Sequence, residues 1–159
     1  MHPPVTLTSL EPGQRRVMQL AALLPALALL AVSAGIGAAL FAKDVPLPWL
    51  PAALAVPAVL FLVLVMPVRA YRAWGWALAE DELHVAHGLW SRVHTVVPLS
   101  RVQHLDVAQG PVERANGVAR LIVHTAGTAH ATVTLPGISR DTAEQLRDVI
   151  RAQIRSEPW

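Results

Sequence analysis

Two long uncharged segments constrain this chain more than any other feature of its sequence. The first runs from Val17 to Ala42 and the second from Leu47 to Val68. Each reaches or exceeds the roughly 20 apolar residues that a helix needs to cross about 30 Å of hydrocarbon. In a bilayer such a helix makes all its backbone hydrogen bonds internally, and its apolar side chains contact the apolar lipid tails. We therefore predict two transmembrane helices, at about 17–42 and 47–68.

The two segments are predicted to form an antiparallel hairpin, because only Lys43 to Pro46 connects them. Small residues let helix backbones approach closely, so part of the facing surface should be formed by such residues. The expected contact residues are Ser33, Gly35, Gly37 and Ala38. The second helix also contains prolines, which membrane helices tolerate better than soluble ones. Kinks are expected near Pro51, Pro57 and Pro67.

Basic residues in the flanking segments predict the orientation of the hairpin. Short segments rich in lysine and arginine stay in the cytoplasm. Arginines precede the first helix and follow the second, whereas the connection carries one lysine beside one aspartate. The flanking arginines are Arg15, Arg16, Arg69 and Arg72. Both termini are therefore predicted to be cytoplasmic.

An alternative interpretation makes the first segment a cleaved signal peptide. Its basic region would be Arg15 and Arg16, and Ala-Val-Ser-Ala, ending at Ala34, would be the cleavage site. The apolar segment is long for that role. Residues 1–14, with three prolines and no apolar periodicity, are predicted to be a flexible tail.

Composition separates a lipid-facing part from a soluble part. Hydrophobic residues make up 53% of the 159 residues and charged residues only 15%, which is unlike a soluble globular protein. Beyond Arg69, basic and acidic residues nearly balance, whereas a nucleic-acid-binding surface needs a basic excess. We expect no nucleic acid partner. The chain has no cysteine, which excludes disulfides, thiolate nucleophiles and cysteine-ligated metals.

Beyond Arg69 the hydrophobic pattern changes to the two-residue alternation of strands. Glycine, proline and acidic turns separate the short segments, and one amphipathic helix follows them. The predicted strands are Trp74–Ala79, Glu82–His87, Leu89–Val97, Val102–Ala108, Arg120–Thr125 and Ala129–Leu135. One helical turn is expected at Val112–Asn116 and a closing helix at about Arg140–Arg155. The apolar stripe of that helix is predicted to contain Ala143, Leu146, Val149, Ile150 and Ile154.

Several motifs in this part occur together in a known family. They are Tyr71-x-x-Trp74-x-Trp76-x-Leu78, Glu80-Asp81-Glu82, Gly88-Leu89-Trp90-Ser91-Arg92, Pro98-Leu99-Ser100-Arg101-Val102-Gln103-His104 and Gln109-Gly110-Pro111. With them, the chain resembles the bacterial PH-domain family of YdbS-like membrane proteins. The resemblance implies a membrane hairpin at 15–70, followed at 71–159 by a mainly-β, PH-like barrel capped by a C-terminal helix. It also implies the cytoplasmic face of a bacterial plasma membrane.

No arrangement of residues predicts catalysis, a cofactor or a metal. Five of the six histidines of the β part, His84, His94, His104, His124 and His130, are interpreted as surface or hydrogen-bonded residues, and no HExxH motif is present. Serines in this part lie in turns, where they satisfy backbone groups.

The best candidates for partner binding lie at the start of the fourth predicted strand and in the loop between the fourth and fifth predicted strands. An arginine directly after a turn, such as Arg101, can bind a carboxylate or phosphate through two nitrogens. The alternative is that Arg101 pairs internally with Glu113 or Asp106 and fixes the turn. Long loops on rigid barrels often carry binding residues. The candidate set is Arg101, Gln103, Gln109, Glu113, Arg114 and Asn116.

A second set of residues is predicted to lie at the membrane interface, where tryptophan rings and basic side chains are favoured. This set is Arg15, Arg16, Arg69, Arg72, Trp74 and Trp76. Specific inositol-lipid recognition is not expected, because the acidic residues 80–82 in the first hairpin would repel an anionic headgroup.

The resulting hypothesis is a membrane-anchored, non-enzymatic module that recruits or assembles proteins, including further copies of itself. The alternative is a protein that binds lipid or a small ligand where Trp74 and Trp76 meet the barrel. An enzyme is the third and least supported class.

Overall fold

The computed structural model describes residues 6–79, 81–126 and 132–156. The chain divides into two compact units. One unit consists of Met18–Arg69, and the other combines the residues up to Val17 with those from Ala70 onward. The second unit, called the β unit below, is therefore built from two separate parts of the chain.

The first unit contains most of both apolar helices. Helix α1 spans Pro12–Ala42, so it begins before the predicted start at Val17. The second helix is continuous over Leu50–Ala73. Both are long and apolar enough to cross a membrane, and most of their apolar residues are exposed in the structure. Helices of a soluble core would instead bury these residues, so this exposure fits a lipid environment.

The second helix changes its winding in the middle. It consists of α2 (Leu50–Leu60), a π-helical turn (Phe61–Val65) and α3 (Met66–Ala73). A proline ring clashes with the carbonyl four residues earlier, which for Pro67 is Val63. Val63 lies within the π turn, whose wider winding relieves that clash.

The predicted small-residue surface of α1 is correct only in part. Ser33 is buried, and a methyl group added at Gly37 would lie 2.9 Å from the carbonyl oxygen of Pro48. By contrast, a methyl group at Gly35 would meet no atom within 4 Å, and Ala38 is exposed. The reason is the helical period, which turns Gly35 and Ala38 away from the face that holds Ser33 and Gly37.

The β unit contains two three-stranded antiparallel sheets, with strand orders β1-β2-β3 and β4-β5-β6. The first sheet consists of β1 (Gly75–Leu78), β2 (Glu82–His87) and β3 (Val93–Pro98). The second consists of β4 (Val102–Ala108), β5 (Ala119–Thr125) and β6 (Thr132–Ile138). A 3₁₀ turn at Leu99–Arg101 and a short helix α4 at Pro111–Ala115 connect strands, and helix α5 at Arg140–Ser156 follows the sheets. The architecture is the predicted one.

Strands β3 and β6 differ most from their predicted bounds. Strand β3 begins at Val93 rather than Leu89, because Gly88 adopts a φ of +121° and starts a turn that carries the chain to the next strand. Strand β6 begins at Thr132, whereas the predicted start at Ala129 and most of the hairpin turn lie outside the described residues.

One hydrophobic core joins both sheets and α5. Its fully buried residues include Leu83, Val85, Leu121, Val123 and Leu135 from the strands. Helix α5 contributes Ala143, Leu146 and Ile150, as its apolar stripe predicts. Val149, also assigned to that stripe, is instead 49% exposed, because it lies at the margin of the buried face. Ser139 caps the helix by accepting a 3.0 Å hydrogen bond from the Thr142 N–H.

The N-terminal segment is not the flexible tail predicted from its composition. Thr8 and Trp76 exchange backbone hydrogen bonds of 2.7 and 2.9 Å, and the Glu11 N–H donates to the Gly137 carbonyl at 2.7 Å. Leu10 is 2% exposed, and its carbonyl accepts a 2.7 Å hydrogen bond from the Tyr71 hydroxyl. The segment therefore bonds to β1 and β6, one outer strand of each sheet, and shields their edges. Residues 1–5 of the predicted tail lie outside the described residues.

Candidate functional site

The connection between β4 and β5, residues 109–118, is a braced loop rather than an open one. The Gln109 side-chain amide donates to the Val118 carbonyl at 2.9 Å. Glu113 is 7% exposed, and its Oε2 accepts the Gly110 N–H at 2.6 Å and an Arg120 guanidinium N–H at 3.0 Å. A buried carboxylate needs such charge-assisted donors. The loop conformation is therefore held by its own side chains.

Asn116 completes the bracing of this loop. Its side-chain amide donates to the Val112 carbonyl at 2.9 Å. A methyl group added at Gly13 would lie 2.1 Å from the backbone carbonyl oxygen of Asn116, so the N-terminal segment packs closely against this loop. Three of the predicted partner-binding residues, Gln109, Glu113 and Asn116, thus direct their side chains to intramolecular bonds.

The same loop presents several side chains outward, among them Val112 and Arg114. Val112 is 46% exposed, and Arg114 is exposed as well. Arg114 lines a groove beside the loop, described below. A rigid loop can present these residues with little loss of conformational entropy on binding.

The structure separates Arg101 and Gln103 from the 109–118 loop. They lie at the N-terminal end of β4, whereas the loop follows its C-terminal end. The seven residues of the strand separate the two by roughly 20 Å. Both side chains are exposed. The proposed internal pairing of Arg101 does not form in the described part of the chain, because Glu113 is bound by Arg120, and Asp106 by two histidines.

A groove of about 440 Å³ lies between the edge strand β4 and helix α5. We call it the arginine groove, because four arginines line it together with two carboxylates. The charged lining residues are Arg114, Arg140, Arg147, Arg151, Asp106 and Glu144. The excess of basic side chains makes the groove attractive to an anionic ligand.

Ion pairs neutralise only part of this charge. Arg140 Nε lies 2.9 Å from Glu144 Oε1, and Arg147 Nε lies 2.9 Å from Asp148 Oδ1. The hydrogen bond from Arg147, together with the charges of Arg147 and Arg151, lowers the pKa of Asp148, and the same bond raises the pKa of Arg147. A guanidinium has five N–H donors, so one bond from Nε leaves others available.

The arginines of α5 were not among the functional residues predicted from the sequence. Arg140, Arg147 and Arg151 follow one another at intervals of seven and four residues, which places them along one side of a helix. That spacing was readable, but only the strand order shows that this side of the helix adjoins β4.

A second cavity, of about 320 Å³, lies in the β unit near the end of α3. Its lining includes Leu7, Arg72, Trp74, His87 and Arg92. The Trp74 and His87 rings stack with their centroids 4.7 Å apart. An aromatic wall beside two arginines is suited to a ligand with both apolar and anionic parts.

The predicted membrane-interface residues occupy two kinds of environment. Trp74 and Trp76 are partly buried and pack against the core of the β unit. The four arginines are exposed, namely Arg15, Arg16, Arg69 and Arg72. Exposure leaves these arginines free to meet anionic lipid headgroups.

The histidines form two pairs across neighbouring strands. His84 Nδ1 lies 3.2 Å from His94 Nε2. His104 and His124 both contact Asp106, at 2.8 and 3.3 Å. Within residues 6–79, 81–126 and 132–156, no group of three or more metal-ligating residues is arranged to hold a metal ion. His130 lies outside those residues.

Two apolar membrane-length helices joined to a helix-capped pair of antiparallel sheets define the class of membrane-anchored PH-like proteins. The chain belongs to the bacterial PH-domain family, because the family described as "Bacterial PH domain" matches residues 17–154. It is also similar to the UPF0699 transmembrane protein YdbS of Bacillus subtilis (strain 168), with 31% identity over 88 residues. The resemblance seen in the sequence motifs is confirmed.

The match to the Bacillus protein covers 55% of this chain and 54% of that protein, so the chain matches about half of its relative's length. No solved structure matches the chain. The transmembrane relative and the two apolar helices together support a membrane location.

Proposed function

We propose that this protein is a membrane-anchored, non-enzymatic module that recruits or assembles protein partners at the cytoplasmic face of the bacterial plasma membrane. The observation that carries this proposal is the braced 109–118 loop, which presents Val112 and Arg114 beside the arginine groove. An exposed apolar side chain next to an arginine is typical of protein interfaces, where arginine is enriched and loops form the contact.

The packing of the N-terminal segment supports retention of the whole hairpin. Leu10 fills the core of the β unit, so cleavage at Ala34 would remove a core residue. The segment precedes the first apolar helix, whereas the sheets follow the second. Because the two parts pack together, an even number of membrane crossings between them is favoured, which is consistent with both termini in the cytoplasm.

Site-specific photocrosslinking in living cells tests the recruitment function. A photoreactive phenylalanine analogue at Val112 is expected to give discrete crosslinked protein bands, and a band at twice the chain mass would identify self-assembly. The change Arg114→Glu in the same chain should remove these bands.

The matched control places the analogue at Val93, which has similar exposure (43%) but lies on β3. Equal crosslinking from both positions, or none above background from Val112, would contradict the proposal.

A second candidate function is the binding of an anionic lipid in the cavity beside Trp74. The stacked Trp74–His87 pair and the arginines Arg72 and Arg92 favour it, because they combine an aromatic wall with positive charge. Trp90, two residues before Arg92, is 84% exposed and is a residue type suited to the membrane interface.

Native mass spectrometry of the detergent-purified chain tests this second function. Retained anionic phospholipid is expected in the unmodified protein and should be lost in Arg72→Gln and Arg92→Gln. Arg101→Gln, an exposed arginine outside the cavity, is the control. Retention that does not depend on Arg72 or Arg92 would argue against this site.

A further inference from the structure

Strand β4 has one free edge. It pairs with β5 on one side and stands at the end of the order β4-β5-β6, and within the described residues no strand pairs with its other side. A free edge offers backbone N–H and C=O groups to another extended chain. The N-terminal segment covers the edges of β1 and β6, whereas β4 has no such cover from it.

The free edge of β4 forms one wall of the arginine groove, and α5 forms the other. An extended segment lying in this groove could pair its backbone with β4 while alternate side chains face the arginines of α5. The groove thus offers backbone pairing and charge to the same ligand.

The arginines are spread along the groove rather than gathered at one point. From Arg140 to Arg151 the helix advances roughly 16 Å, at about 1.5 Å per residue. An extended peptide of about five residues covers the same length, and its same-side residues recur about every 6.6 Å. A single phosphate group would reach only part of this row. The geometry therefore favours several negative charges on one extended chain.

The arginines of the groove keep N–H donors that can bind the negative charges of such a ligand. Within the described residues, Arg114 and Arg151 are in no ion pair, and Arg140 and Arg147 each use Nε for theirs. The groove carboxylates are already engaged, Asp106 with His104 and Glu144 with Arg140. Carboxylates of an incoming peptide could receive paired N–H groups from these guanidinium ions.

We propose that the arginine groove binds an acidic, extended segment of a partner protein by adding it as a strand to the free edge of β4. This inference rests on the recruitment function proposed above and specifies its partner. The binding mode has two separable parts, namely backbone pairing with β4 and ion pairing with the arginines of α5.

The test uses the full chain in nanodiscs of uncharged phosphatidylcholine, with a fluorescein-labelled peptide of alternating valine and glutamate. Fluorescence anisotropy should show saturable binding that weakens as salt rises, because exposed charges are screened. The double change Arg147→Gln and Arg151→Gln should weaken binding about ten-fold, since each exposed ion pair contributes modestly. The control change Lys43→Gln, in the connection between the two apolar helices and outside the groove, should leave binding unchanged.

A second peptide separates strand addition from simple charge attraction. It has the same sequence, but alternate backbone nitrogens carry methyl groups, so it keeps its charge and cannot donate along one edge. Its affinity is expected to fall at least ten-fold. Equal binding of both peptides would overturn the strand-addition mode, and equal binding by the double variant would overturn the groove as the site.

The outcomes for this inference and for the recruitment function can be told apart. Crosslinks from Val112 without binding of the peptide would leave recruitment standing and overturn the acidic-segment inference. Peptide binding that depends on the groove and on free backbone N–H groups supports the inference, even if the crosslinks from Val112 are absent.

Discussion

Arg120, on β5, donates a 3.0 Å hydrogen bond to Oε2 of Glu113 in the short helix α4. The same oxygen accepts the Gly110 N–H at 2.6 Å. One buried carboxylate therefore fixes the start of α4 and ties the 109–118 loop to the second sheet. Glu113 is a structural residue whose neighbours, Val112 and Arg114, are free to make contacts.

Removing this carboxylate should destabilise the β unit. Glu113→Ala leaves the Gly110 N–H and Arg120 without their acceptor and is expected to lower the unfolding free energy by about 1–3 kcal/mol. Arg120→Met should cost less, because the Arg120 side chain is 44% exposed and water replaces part of the interaction. Urea unfolding of the full chain in detergent, followed by tryptophan fluorescence, measures both changes. A larger loss for Arg120→Met would contradict this ranking.

Close packing of the N-terminal segment predicts a graded response to alanine at glycine positions. Gly13→Ala should be the most damaging, at about 3 kcal/mol, because its methyl group would lie 2.1 Å from the Asn116 carbonyl oxygen. Gly137→Ala combines a φ of +69° with a contact of 2.5 Å to Gln14 and should cost about 2 kcal/mol or more. Thermal unfolding of the variants gives the order.

Two further glycines serve as controls for this series. Gly117 has the same φ of +69° but open space around it, so Gly117→Ala isolates the backbone strain of about 1–2 kcal/mol. Gly35 in α1 has neither feature, and Gly35→Ala should not destabilise. If Gly13→Ala behaved like Gly35→Ala, the packing of the N-terminal segment would be refuted.

Gln14 offers a stabilising change. It is 6% exposed, and its Oε1 is buried without a hydrogen-bond partner among the described residues. An unsatisfied buried acceptor is unfavourable, so Gln14→Met, which keeps the length of the side chain, should stabilise by about 1 kcal/mol. Gln103→Met, at an exposed position, is the matched control and should not raise the melting temperature. Destabilisation by Gln14→Met would show that Oε1 is in fact satisfied.

The Arg147–Asp148 pair predicts a pH dependence with a defined sign. The pKa of Asp148 is lower in the folded protein than its ordinary value of about 4. Its stabilising contribution is therefore present above about pH 4 and is lost as pH falls through the folded-state pKa. The difference in urea midpoint between the unmodified chain and Asp148→Asn should follow this course. Both groups are exposed, so high salt should abolish the difference, and a difference that grows as pH falls would contradict the assignment.

The absence of cysteine allows a direct test of membrane orientation. Val45→Cys places a single thiol in the connection between the helices, and Ser91→Cys places one on the β unit. A membrane-impermeant maleimide should label Val45→Cys in intact spheroplasts and Ser91→Cys only after the membrane is opened. The reverse pattern would contradict cytoplasmic termini.

The sequence was sufficient to predict the two apolar helices, the mainly-β region and the closing helix, because each has a periodicity that burial imposes on side chains. The helical turn at residues 112–116 was also predictable, since Gly110-Pro111 and Gly117 mark its ends. Membership of the bacterial PH-domain family could be recognised from the same motifs.

The structural role of residues 6–14 could not be predicted, because the segment is short and its hydrogen bonds to the rest of the β unit go to residues more than sixty positions away. The same limitation hid the arginine groove. Arg114 was identified as a candidate, but its neighbours Arg147 and Arg151 join it only when α5 lies beside β4. Contacts between distant segments leave no periodic signal in either one.

The bond from Glu11 to Gly137 has a consequence for the order of events during synthesis. Strand β6, the second of the two strands that bond to the N-terminal segment, is made more than one hundred residues after it, and ribosomes add about 5–20 residues per second. For on the order of ten seconds, the newly made N-terminal segment must therefore wait without its partner on β6 while the membrane hairpin is inserted. Final closure of the β unit is a late event, and until then factors that bind nascent chains have access to Leu10, which the finished protein buries.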